Sequence, residues 1–87
     1  MRRQMIKIYG KDGCPYCEKA KALCESRGFA HEYLTMGVDY PREQLFETFP
    51  GAKTVPQIIV NGQKIGGYNE LIRYIEDTAY TGTGHSL

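Results

Sequence analysis

The stretch that constrains this chain most is Cys14-Pro15-Tyr16-Cys17, which sets two thiols three residues apart where a strand gives way to a helix. Met5-Ile6-Lys7-Ile8-Tyr9 reads as a strand, Gly10 to Gly13 as a polar turn, and Pro15 to about Arg27 as a helix. Proline suits the first helical turn, where its missing N–H has no carbonyl partner to lose. Cys14 is therefore expected at or just before the helix N-terminus, where free N–H groups and the helix dipole favour negative charge. Such placement lowers a cysteine pKa from about 8.5 to roughly 3.5–7.5, and the thiolate is the nucleophile. Cys14 is thus the expected attacking thiol. Cys17, inside the first turn and less exposed, is the expected resolving thiol.

The spacing alone also fits half of a metal site or a structural staple. A disulfide closing so short a loop removes only about 2 kcal/mol of chain entropy, against roughly 4 for a sixty-residue loop, so stapling is a poor use of it. A protein-only zinc site wants four ligands, and no second Cys-x-x-Cys or nearby Cys-His pair supplies them. No metal is expected, and the redox reading is preferred.

Length and charge narrow the rest. Eighty-seven residues, 41% of them hydrophobic, make one small domain spanning 1–87 with its core over 5–80. Eleven basic and ten acidic residues leave a formal charge of +1, with no basic stripe for nucleic acid or an anionic membrane. The apolar run behind Arg2-Arg3 is too short for a signal peptide or a membrane span. Three cysteines do not look like a secreted framework, so a soluble, cytoplasmic protein is expected.

Along the first helix, Cys17, Ala20 and Cys24 recur on one face with Leu23 beside them, and Gly28 supplies the stop. Cys24 reads as a small core residue. Phe29 to Leu34 is a second strand on which His31 is expected to be solvated, and Thr35 to Tyr40 a loop. Pro41 opens a second helix with Leu45, Phe46 and Phe49 as its apolar side, ended by Pro50-Gly51. Lys53 to Val60 is a third strand with Pro56 near its start, where trans is the default isomer. Asn61-Gly62 signals a hairpin to Gln63-Lys64-Ile65. Gly66-Gly67 permits a sharp turn. Asn69 is a candidate cap for a last helix buried through Leu71, Ile72, Ile75 and Ala79, and 81–87 is expected to be frayed. The βαβ start demands a parallel pair and the Asn-Gly turn an antiparallel one. The expected fold is α/β: a four-stranded mixed sheet flanked by three helices, in the order βαβαββα.

That order, with Cys-Pro-Tyr-Cys after the first strand, Thr54-Val55-Pro56 before the third and Gly66-Gly67 after the fourth, resembles the glutaredoxin family of the thioredoxin fold over roughly Met5 to Tyr80. The resemblance implies a cis Pro56 facing the dithiol. It also implies glutathione as co-substrate, held in extended form with its backbone pairing to Val55. Its γ-glutamyl carboxylate would rest on the N–H groups of Gly67, Tyr68 and Asn69, with Glu70 toward the ammonium. Lys11 would attract the glycine carboxylate, Tyr16 would wall the groove, and Lys53 and Thr54 would flank it. From the residues alone, Lys11, Lys53 and Glu70 read as ordinary solvated charges.

Two departures from the family pattern stand out. Tyr68-Asn69-Glu70 puts a tyrosine where many relatives have cysteine or serine. Pro41-Arg42-Glu43-Gln44 leaves either Arg42 or Gln44 to meet the glycine carboxylate. The implied activity is glutathione-dependent reduction of glutathione mixed disulfides and protein disulfides by a monomer, with a ribonucleotide reductase as one implied client. The alternatives are a carrier of a bridged iron-sulfur cluster and a thioredoxin-like donor reduced by a flavoenzyme.

Overall fold

The computed structural model describes residues 5–78, so the expectations for Ala79, Tyr80 and the 81–87 tail lie outside the described residues. The elements run β1 (Ile6–Gly10), α1 (Pro15–Arg27), β2 (His31–Thr35), α2 (Arg42–Thr48), β3 (Gln57–Val60), β4 (Gln63–Gly66) and α3 (Tyr68–Thr78). The sheet order is β2-β1-β3-β4. β1 pairs parallel with β2 across the α1 crossover and antiparallel with β3, and β3 pairs antiparallel with β4. This is the expected mixed sheet with three helices, a thioredoxin-like arrangement. The hairpin turn forms as its dipeptide demands, with Asn61 (φ 53°) and Gly62 (φ 83°) both in the left-handed region.

Strand alternation divides the interior between the two faces of the sheet. Ile6, Ile8, Ile58 and Val60 point to one face and pack with Ala20 and Cys24 of α1 and Leu71 and Ile75 of α3. Tyr9 and Ile59 point to the other, toward Tyr40, Leu45 and Phe49. There the Tyr9 ring meets Tyr40 and Phe49 edge to face, at centroid distances of 5.1 and 5.2 Å. Two small cores thus grip β1, the strand that leads into the dithiol.

Several local expectations are corrected. Phe46 is exposed: Leu45 and Phe49 are four residues apart and share the inward face, whereas Phe46 is turned about 100° away, with the Arg42 guanidinium over its ring. Ile72 is only half-buried at the edge of the α3 stripe. Asn69 does not cap α3, because the helix already begins at Tyr68. Instead the Glu70 carboxylate turns back to accept the Gly67 N–H at 2.9 Å, as the third residue of a helix does in a capping box. The third strand begins at Gln57 rather than Lys53, since Pro56 has no N–H to give the ladder. His31 is half-buried rather than solvated, and its Nδ1 bonds the Phe29 carbonyl at 2.9 Å, which assigns the proton to that nitrogen.

Cys24 is fully buried, as expected of a core residue. Burial first, and the neighbouring Glu25 carboxylate second, push its thiol up to about 11. Its folded value lies above its unfolded one, so this contribution to stability is intact below about pH 9 and is lost as pH rises toward 11. Chemical denaturation between about pH 8 and 11 should show that decline, and Cys24→Ala should flatten it; an unchanged slope would mean that Cys24 is not the group responsible.

Candidate active site

Cys14 occupies the N-cap of α1. Its backbone is extended (φ −106°, ψ 108°), and its sulfur accepts the Cys17 N–H at 3.2 Å, the bond that a serine or aspartate oxygen makes at other helix starts. Pro15 follows at the first helical position, as the sequence requires. Cys14 and Cys17 are joined as a disulfide with Cα atoms 5.2 Å apart. Cys17 is fully buried while Cys14 keeps 7% of its surface exposed, so of the two residues only Cys14 has surface open to a second molecule. An N–H aimed at this sulfur stabilises a thiolate more than a neutral thiol, and the dipole of a thirteen-residue helix adds to it.

Across from the dithiol runs the segment before β3. The Val55–Pro56 peptide is cis, as the resemblance implied and against the default from sequence. The Cys14 sulfur lies 3.8 Å from the Val55 carbonyl oxygen. Two grooves meet on this segment, and Thr54 and Val55 line both.

The first groove, about 260 Å³, is closed by Tyr16, Pro56, Gly67, Tyr68, Asn69 and Glu70. The exposed Tyr16 ring leans on Tyr68, with centroids 6.0 Å apart, and carries the Lys19 ammonium 5.0 Å from its own centroid. Gly66 (φ 113°) allows the close turn into α3, because a Cβ there would fall 2.9 Å from Glu70 Cγ. Glu70 holds the Gly67 N–H, so the Tyr68, Asn69 and Glu70 N–H groups of the first turn are the ones left to meet an anion.

The second groove, about 230 Å³, brings Lys11, Arg42 and Lys53 together, with Met36, Leu45 and Phe46 as its apolar wall. Of the two residues that the sequence leaves open at the start of α2, Arg42 lines this groove and Gln44 does not. Gln44 aside, every residue singled out from sequence for the dithiol or for glutathione lies on the Cys14–Cys17 bridge or on these two grooves. Met36 and Phe46 are additions that sequence reasoning does not supply. Neither carries a local signal, since one sits in an irregular loop and the other reads as a core residue. Among the described residues, no group of three or more His, Cys, Asp or Glu side chains is placed to share a metal ion. No helix among them is long and apolar enough to cross a membrane.

A bridged Cys-x-x-Cys at a helix N-cap on a thioredoxin-like sheet defines a thiol-disulfide oxidoreductase. The glutaredoxin family model matches residues 6–65. Glutaredoxin 3 of Escherichia coli K12 is 42% identical over 67 residues, covering 76% of this chain and 80% of that protein. The structure of reduced E. coli glutaredoxin superposes with a TM-score of 0.72 at 32% identity, covering 86% of this chain and 96% of that one. The hybrid peroxiredoxin hyPrx5 of Haemophilus influenzae is 36% identical over 72 residues, and the chain spans only 30% of its length. This chain belongs to the glutaredoxin family.

Proposed function

We propose that this protein is a dithiol glutaredoxin that uses glutathione to reduce glutathione mixed disulfides and protein disulfides. The observation that carries the proposal is the geometry around Val55. A sulfur 3.8 Å from its carbonyl sits between one groove ending on free helix N–H groups and another holding three cations. An extended tripeptide with a thiol at its centre and a carboxylate at each end matches that layout. The γ-glutamyl end lies between Tyr16 and Tyr68 against the start of α3, and the glycine carboxylate faces Lys11, Arg42 and Lys53.

In the reaction the Cys14 thiolate attacks the sulfur of a mixed disulfide, forming a new S–S bond as the client thiolate leaves and takes a proton. When glutathione is the group left on Cys14, a second glutathione thiolate attacks it, releasing oxidised glutathione and regenerating the Cys14 thiolate. When a client protein is left on Cys14, Cys17 attacks Cys14, freeing the client and closing the bridge. Two glutathione molecules then reopen it, leaving as oxidised glutathione. Turnover is ping-pong. The protein works as a monomer in the cytoplasm, and a ribonucleotide reductase is the client that the family resemblance suggests.

The test is reduction of a small glutathione mixed disulfide coupled to NADPH through glutathione reductase. Turnover well above the uncatalysed rate supports the reading. Turnover that instead needs a thioredoxin-reducing flavoenzyme would sink it.

Arg42→Glu in the same assay should raise KM for the glutathionylated substrate by about fivefold, the equivalent of 1 kcal/mol of charge-assisted binding, with little change in kcat. Added salt should narrow the gap. An unaltered KM would remove Arg42 from the carboxylate site.

A further inference from the structure

The turn that delivers Cys14 is held by two tyrosines that the proposed mechanism does not use. Tyr40 Oη donates to the Gly10 carbonyl at 2.8 Å, and the Met36 N–H donates to the same oxygen at 2.8 Å, so both its acceptor sites are filled. Tyr33 Oη donates to the next carbonyl, that of Lys11, at 3.3 Å. The two rings approach from opposite faces of the sheet. Tyr33 packs on the core beneath α1 and α3, and Tyr40 is buried in the core beside α2.

Gly10 is where these parts touch. A Cβ at residue 10 would fall 2.6 Å from Tyr33 Oη, 2.9 Å from Tyr33 Cζ and 3.1 Å from Cys17 Cβ. Tyr33 and Cys17 thus both crowd the one position where β1 ends. Burial, then the Tyr33 and Tyr9 hydroxyls, push the Tyr40 hydroxyl up to about 12. Burial, then Glu18 and Asp12, raise that of Tyr33. Both therefore keep the proton that they donate throughout the neutral range.

We propose that Tyr33 and Tyr40 are positioning residues for the dithiol: their hydroxyls pin two consecutive carbonyls from the two faces of the sheet, so that the turn sets the Cys14 sulfur against the Cys17 N–H. The proposal rests on Cys14 being the attacking thiol. Without the clamp the sulfur spends less time in that bond, and the thiolate loses part of its stabilisation.

The reduced full-length chain, with Tyr33→Phe, Tyr40→Phe and both together, is alkylated with iodoacetamide from about pH 4 to 9, the modified cysteine being mapped by mass spectrometry. Neither substitution alters a charge near the turn. Lys11 and Asp12 on it, Glu18 and Lys21 on α1, and Lys53 before β3 all remain. A moved profile therefore reports geometry. The midpoint for Cys14 should rise by about half a pH unit in each single variant, which is roughly threefold less thiolate at low pH, and further in the double.

Tyr33→Phe, which loses only a surface bond, should keep its melting temperature, so it decides the matter even if Tyr40→Phe folds poorly. Profiles that coincide with the unsubstituted protein's would overturn the proposal and leave both tyrosines as packing alone. Rapid alkylation mapping to Cys17 in the unsubstituted protein would instead fail the assignment of Cys14 itself, and this inference with it.

Discussion

Cys14→Ser should abolish disulfide reduction, with a loss of about 10³-fold or more, whereas Cys17→Ser should keep a substantial share of turnover on small glutathione mixed disulfides. The asymmetry follows from the helix start. The group that stabilises charge on the Cys14 sulfur is the backbone N–H of Cys17, which serine at position 17 retains. What Cys17→Ser removes is the buried sulfur that closes the bridge. That variant should therefore fail on protein disulfides and accumulate a trapped mixed disulfide at Cys14, visible by mass spectrometry. Equal loss of small-substrate activity in both variants would mean that every turnover passes through the intramolecular bridge. Survival of activity in Cys14→Ser would refute the assignment of the nucleophile.

The largest stability effect is expected at Leu71, which has no exposed surface and packs among Ile6, Ile8, Ile58 and Val60 beneath α3. Leu71→Ala removes buried methyl groups and leaves a cavity, at a cost of about 2–5 kcal/mol. A domain of this size has only about 5–15 kcal/mol of total stability, and each kcal/mol moves Tm by roughly 4–8 °C. Thermal unfolding should therefore shift down by about 10 °C or more. Ile72→Ala, one position on and half-buried, should move it far less. Similar shifts for the two would show that α3 does not dock by the face described. Leu71 also anchors the helix turn that presents Tyr68 and Asn69 to the first groove, so activity should fall with stability as temperature rises.

Much of this protein is legible in the order of its residues. Asn61-Gly62 dictates the hairpin because two consecutive positive-φ positions are a local backbone matter. Pro15 marks the start of α1 for the same kind of reason, and Cys14 at its N-cap follows. The corrected expectations share a different cause. Hydrophobicity alone assigns Phe46 to the core, but the helical angle separates it from Leu45 and Phe49. Residue type alone makes Asn69 a cap, while Glu70 bonds the Gly67 N–H from inside the helix. His31 reads as solvated because nothing in its neighbours announces the Phe29 carbonyl that holds it.

The chain alone determined the order of elements, the mixed sheet and the identity of the two sulfurs, since these rest on spacing, turn chemistry and helix ends within a few residues. Only the tertiary structure decided which charges converge. Lys11, Arg42 and Lys53 come from three separate segments, and their sharing of one groove depends on how α2 packs against β1 and the loop before β3. The same holds for Tyr33 and Tyr40, which reach neighbouring carbonyls from opposite faces of the sheet. Side-chain hydrogen bonds and clustered charges fall off over a few ångströms, and the distances between those segments exist only once both cores have closed.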